Sequence, residues 1–186
     1  MANPEHIEVL DTLDKASVVA YRLGIVMFSI ASVWYCLIGI VELSWGELPL
    51  GFHFDPSILF CIATALSAAN LHVYDKKIRS VIMYSGWLGI VLFVALAESE
   101  ATWIAYGFVF VAFSGIALKE SFCFNVFGLK LVPLLLMAVT FSMVFTYWLV
   151  VYGLLAFVAI IFVYLSIRKS RMPLHFDIGN KSNYQI

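Results

Sequence analysis

The stretch LVPLLLMAVTFSMVFTYWLVVYGLLAFVAIIFVYLSI, residues 131–167, runs for 37 residues without an Asp, Glu, Lys or Arg. A helix crosses the roughly 30 Å hydrocarbon core of a bilayer with about 20 apolar residues. As a single helix this stretch would be about 55 Å long, nearly twice the length needed. Two helices joined by a tight turn fit it. The turn is expected within residues 146–153, where Thr146, Tyr147, Trp148, Tyr152 and Gly153 cluster. Tyr and Trp favour the membrane interface, and glycine supplies turn geometry. Pro133 lies near the start of the first of these helices, where a missing N–H costs least.

Toward the N-terminus four more uncharged runs appear, at residues 23–41, 56–74, 80–97 and 101–118. The fold class expected is therefore all-α: a polytopic transmembrane bundle with spans at about 23–41, 56–74, 80–97, 101–118, 129–147 and 150–167. Composition points the same way. The chain is 63% hydrophobic and only 12% charged, with a mean hydropathy of +0.97, whereas soluble domains are about a quarter charged. This excludes a soluble globular domain, a disordered chain, a collagen and a coiled coil. A net charge of −1 leaves no electrostatic footprint for nucleic acid. Three cysteines in 186 residues do not form a disulfide framework.

The charges test the span count independently. With six spans, one side of the membrane receives Lys15, Arg22, Lys76, Lys77, Arg79, Lys119, Lys130, Arg168, Lys169, Arg171 and Lys181, which are all 11 basic residues. The other side receives only acids: Glu42, Glu47, Asp55, Glu98 and Glu100. The positive-inside rule then puts both termini in the cytoplasm, in a bacterial plasma membrane or a thylakoid membrane. An odd number of spans would put the basic tail outside. Residues 1–16 carry Glu5, Glu8, Asp11 and Asp14, the opposite of a basic signal-peptide n-region. They read as a short amphipathic cytoplasmic helix with Ile7, Leu10, Leu13 and Ser17 on one stripe. Residues 17–168 form the six-helix domain, and residues 169–186 a polar, loosely ordered cytoplasmic tail.

The second span is rich in small residues. Ala63/Ser67 and Ala65/Ala69, at spacing four, let helices approach closely and favour a place at the centre of the bundle. Ser67, Asn70 and Tyr74 form a candidate intramembrane polar stripe, echoed by Ser29, Ser32 and Cys36 on the first span. Interhelical hydrogen bonding is the plain reading of both stripes, and a pocket or permeation path the functional one. No Asp, Glu, Lys or Arg lies deep inside any span, and His72 is the one histidine expected within a span, which argues against an ion-coupled pump or voltage sensor.

Three groups can carry chemistry. His72, Asp75 and Lys76 lie at the inner turn after the second span, where a histidine can ligate haem or metal and the charges fix topology. Lys119, Glu120 and Cys123 lie at the inner end of the fourth span, where an ammonium four residues from a thiol can make it reactive. If the second and fourth spans pack side by side, Asp75 pairs with Lys119 and Lys76 with Glu120, giving one cytoplasmic-edge polar cluster. The outer acids with His53 match no metal-ligand spacing, and the positive-inside rule alone accounts for them. Hydrolase, metalloprotease, P-loop and Cys-x-x-Cys motifs are absent, so the sequence leans away from an enzyme and implies no cofactor.

The segments LHVYDK (71–76) and KESFCF (119–124) resemble a family of bacterial, largely cyanobacterial, integral membrane proteins catalogued as a domain of unknown function. The resemblance covers nearly the whole chain. It implies a six-span membrane protein without an assigned activity, and draws attention to His72, Asp75, Lys119, Glu120 and Cys123. The expected function is non-enzymatic: small-solute permeation, or an accessory or assembly subunit of a membrane complex. The alternative is a cofactor-binding or thiol-redox protein using His72 or Cys123. The expected partners are the lipid bilayer and a homo-oligomer or larger membrane complex.

Overall fold

The computed structural model describes residues 9–46, 54–97, 99–124 and 126–185. Ile7 of the amphipathic stripe, Glu47, His53 and Glu98 of the acidic set, and the two segments' neighbour Asn125 lie outside the described residues. Every regular element among the described residues is helical: α1 (Thr12–Trp45), α2 (Pro56–Ala69), α3 (Lys76–Ala95), α4 (Trp103–Cys123), α5 (Val132–Val144), α6 (Trp148–Ser170) and the short α7 (His175–Ile178), with three single 3₁₀ turns. Four of these helices, α1, α3, α4 and α6, are long and apolar enough to cross a membrane. Two more, α2 and α5, are apolar but shorter, at 14 and 13 residues.

Acidic residues start three of the helices. Asp11 and Asp14 form a reciprocal capping box at α1, with bonds of 2.7 and 3.0 Å. Asp55 accepts from the Ser57 N–H at the start of α2, and Asp75 from the Ile78 N–H at the start of α3. Each satisfies an orphan donor and meets the positive end of the helix dipole. Because α1 begins right after Asp11, residues 12–16 continue into the first long helix, where Leu13 is exposed.

The 37-residue uncharged run divides into α5 and α6. The turn spans Phe145 to Tyr147, with Thr146 in the left-handed region at φ 59° and the Tyr147 N–H bonded to the Ser142 carbonyl at 2.9 Å. Gly153, expected to serve the turn, lies inside α6 instead. A hydrogen-bonded turn needs only one left-handed residue, and Thr146 takes that role.

Successive helices reverse direction. The start of α1 and the ends of α2, α4 and α6 gather at one end of the bundle, around Tyr21, His72, Glu120 and Lys169. The opposite ends of the same four helices meet around Tyr35, Asp55, Tyr106 and Tyr152. Below, these are the basic end and the acidic end.

Between them lies a buried aromatic layer. Phe28 of α1 stacks on Phe113 of α4 at 3.8 Å between centroids and touches Phe162 of α6 at 4.6 Å and Phe60 of α2 at 5.6 Å. All four rings are fully buried. The layer takes one ring from each of α1, α2, α4 and α6, and α2 reaches the centre through Phe60, which also meets Tyr106 and Phe110 of α4. Helix α2 packs chiefly on α1 and also on α3. Its small residues serve two close approaches: a Cβ on Gly24 of α1 would lie 2.2 Å from the Ser67 hydroxyl and 2.8 Å from the Ala63 carbonyl, and one on Gly86 of α3 would lie 3.2 Å from the Ala68 Cβ. Small residues shorten a helix–helix distance, but they do not supply the side chains that fill a core. The outward surface is apolar as well; Val91 and Val94 of α3 are 61% and 79% exposed.

Candidate functional site

The basic end is built on Glu120, only 1% exposed. Its carboxylate accepts from the Tyr21 hydroxyl at 2.7 Å and from the Lys169 ammonium at 2.6 Å. Lys119 stands 3.3 Å away and lies 4.3 Å from the centroid of the Tyr21 ring. Lys169 also pairs with Asp177, and Asp177 accepts from Arg22 Nε at 2.7 Å. The Arg22 guanidinium goes on to the carbonyls of Met172 and Pro173, at 2.7 and 2.9 Å. One chain of charge-assisted bonds therefore joins α4, α6, α1 and the C-terminal tail. Three cations face two carboxylates, and the ring of Tyr21 takes up part of the excess.

The tail is held at several further points, so the loosely ordered tail expected from its polarity is corrected. The Asn180 N–H donates to the Tyr74 hydroxyl at 2.9 Å, and Arg79 donates to the Gln185 carbonyl at 2.9 Å. Lys181 pairs with Asp14. Asp177 is the one acid after Glu120 in the sequence. It anchors the tail because burying it demands cations, which Arg22 and Lys169 supply.

The expected cluster is brought together in part. Lys119, Glu120 and His72 gather around Tyr21. His72 lies in the connection between α2 and α3, its Nε2 3.4 Å from the Ser17 hydroxyl and its ring edge-on to Tyr21 at 6.4 Å. The pairings of Asp75 with Lys119 and Lys76 with Glu120 do not form. Asp75 is committed to capping α3, Lys76 is exposed with its N–H on the Gln185 side chain, and Glu120 is saturated by Tyr21 and two lysines. Cys123 ends α4 with its side chain exposed. The stripe of Ser67, Asn70 and Tyr74 does not stay on one helix face. Ser67 is buried against Gly24, Asn70 ends α2 and bonds back to the Leu66 carbonyl at 2.9 Å, and Tyr74 leaves the helix to hold the tail. Ser29 and Ser32 bond to carbonyls one turn back in α1, as bundle glue does.

Sequence reasoning missed Tyr21, Arg22, Lys169 and Asp177. The available signal was charge parity: one acid in a tail with three bases.

The acidic end holds an open cavity of about 430 Å³. Tyr35, Tyr106, Tyr152 and Trp148 supply its aromatic walls, and Glu42 and Asp55 its carboxylates. Tyr35 meets Tyr106 edge-on at 5.5 Å and Tyr152 at 6.0 Å, and Trp148 stacks along Tyr152. Among the described residues no group of three His, Cys, Asp or Glu side chains is placed to hold a metal ion.

Comparison with known proteins bears on the fold's setting. The family model described as "Uncharacterized integral membrane protein (DUF2301)" matches residues 66–186. An uncharacterized protein of Haemophilus influenzae is 31% identical over 187 residues, covering 100% of both chains. No solved structure matches. With the family model covering more than half of its length, the chain belongs to this family of integral membrane proteins, and its apolar outer surface is in contact with the lipid bilayer.

Proposed function

We propose that this protein passes a small solute across a bacterial plasma or thylakoid membrane, without catalysing a reaction. In this reading α1 to α6 are six spans and both termini are cytoplasmic. The supporting observation is the separation of polarity along the bundle. A cavity opens at the acidic end, a network of ion pairs closes the basic end, and one packed layer of phenylalanines lies between. A protein that admits solute from alternate sides has this form in one of its states: open at one face, locked at the other. The locked face is cytoplasmic, because all 11 basic residues fall on that side. The short helices α2 and α5, each about 20 Å long, complete their crossing with flanking residues and a locally thinned bilayer.

His72, Lys119 and Glu120 belong to the inner lock, together with Tyr21, Arg22, Lys169 and Asp177. Asp75, Lys76 and Cys123 border it. Ser67, Asn70 and Tyr74 connect α2 to α1 and to the tail that carries Asp177. Opening the path requires the lock to part.

The test is flux into proteoliposomes containing the purified full-length chain, measured over a panel of small neutral and charged solutes. At least one solute should enter faster than into protein-free vesicles. Arg22→Gln, which loosens the tail, should change that rate severalfold. Absence of flux for the whole panel, with other chains co-purifying at fixed stoichiometry, would replace this reading with an accessory subunit. A visible absorption band on the purified protein, or flux abolished by Cys123→Ser, would favour the cofactor or thiol reading.

A further inference from the structure

We infer that the acidic-end cavity binds a small organic ammonium ion. As the identity of the permeating solute this rests on the reading above; as a binding site it has a test of its own.

The cavity's size, about 430 Å³, falls in the range of small-molecule pockets, roughly 300–1,000 Å³. Its walls are aromatic on several sides and at several inclinations. The Tyr35 and Tyr106 rings stand at 74°, and those of Tyr35 and Tyr152 at 54°. Tyr152 lies flat against α1 because Gly39 has no side chain: a Cβ there would come within 2.1 Å of the ring. Tyr35, Tyr106, Trp148 and Tyr152 all line this cavity, and aromatic rings beside carboxylates suit a cation with an apolar body.

Charge agrees with shape. Among the described residues the lining includes two carboxylates, Glu42 and Asp55, and no Lys, Arg or His. Asp55 is partly engaged, accepting from the Ser57 N–H at 2.8 Å and the Ser57 hydroxyl at 2.5 Å. The Glu42 carboxylate has no partner among the described residues. A third feature is independent of the acids. Tyr106 is only 8% exposed, lines the cavity, and its hydroxyl has no hydrogen-bond partner among the described residues. Here a ligand's N–H, or its partly charged methyl groups, would meet the hydroxyl oxygen. A calcium or magnesium ion is a poor fit, because it needs about six oxygen ligands and the described residues offer two carboxylates on an aromatic wall.

Choline and its uncharged isostere 3,3-dimethylbutan-1-ol have nearly the same shape and differ in charge. Titration calorimetry on the full-length protein in detergent should show saturable choline binding, with the isostere about tenfold weaker or less. Glu42→Gln should weaken choline about tenfold while leaving thermal unfolding unchanged, since Glu42 is exposed. Tyr106→Phe should weaken it severalfold, and its packing volume is kept so that it folds. Equal affinity for the two probes, unaltered choline affinity in Glu42→Gln, or no choline binding at millimolar concentration would each overturn the inference. Choline binding without flux of any solute leaves the site standing and removes the permeation reading. Flux of an uncharged solute without choline binding does the reverse.

Discussion

Glu120 shows how one side chain can organise a membrane protein's end. Its carboxylate is nearly sealed from solvent, and a lone buried charge would be prohibitive. Tyr21, Lys119 and Lys169 make it tolerable, and each comes from a different place in the chain or faces it from its own helix. Removing the carboxylate's charge strands Lys119 and leaves Lys169 with Asp177 alone. Glu120→Gln is expected to cost about 3–5 kcal/mol, while Tyr21→Phe, which removes one hydrogen bond to a charged group, should cost about 1.5–3 kcal/mol. Thermal unfolding in detergent measures both, and a Glu120→Gln protein as stable as the native one would remove the network's structural role. The sequence made Glu120 and Lys119 conspicuous because they sit side by side at a helix end. It could not supply the other partners of Glu120: besides Lys119, 3.3 Å away, these are Lys169 and Tyr21, 49 and 99 residues distant along the chain, and sequence carries no sign of such distant pairs.

At the scale of the element, the uncharged run of residues 131–167 was legible as two helices from length alone. The position of the break was read less well, because aromatic and glycine content marks a region whereas hydrogen bonding selects a residue. Thr146 adopts φ 59°, a conformation that costs a β-branched side chain about 1–2 kcal/mol. Asparagine tolerates it. Thr146→Asn is accordingly expected to stabilise the protein by about 0.5–1 kcal/mol, seen as a raised unfolding temperature in detergent. A lowered temperature would show that the Thr146 hydroxyl, bonded to the Phe145 carbonyl at 2.7 Å, outweighs the backbone strain. The caps were also within reach of sequence reading, since an Asp stands immediately before each of α1, α2 and α3. The competing reading of Asp75 as an ion-pair partner failed because its backbone neighbours claimed it first: a cap is local and needs no folding to form.

Across the whole molecule, the two ends differ in charge and in chemistry, and the cysteines report which end faces where. Cys123 is exposed at the basic end, Cys36 is buried, and Cys61 is half-buried in α2 toward the acidic end. A membrane-impermeant maleimide should label Cys123 in inside-out membrane vesicles and not in right-side-out ones. Labelling of Cys123 from the outer face would reverse the proposed orientation. Cys123→Ser supplies the control.

Composition, uncharged run lengths and the partition of bases and acids were enough to determine that this chain is an all-helical integral membrane protein. These properties are sums over residues, and lipid selects on such sums. Tertiary structure alone decided which helices hold the centre, where Glu120 finds its cations, that the tail docks through Asp177, and that four aromatic side chains enclose a cavity beside two acids. Those outcomes depend on contacts between residues far apart in sequence. In lipid such contacts are set by the fit of one helix surface to another, because exclusion of water does not draw the helices together.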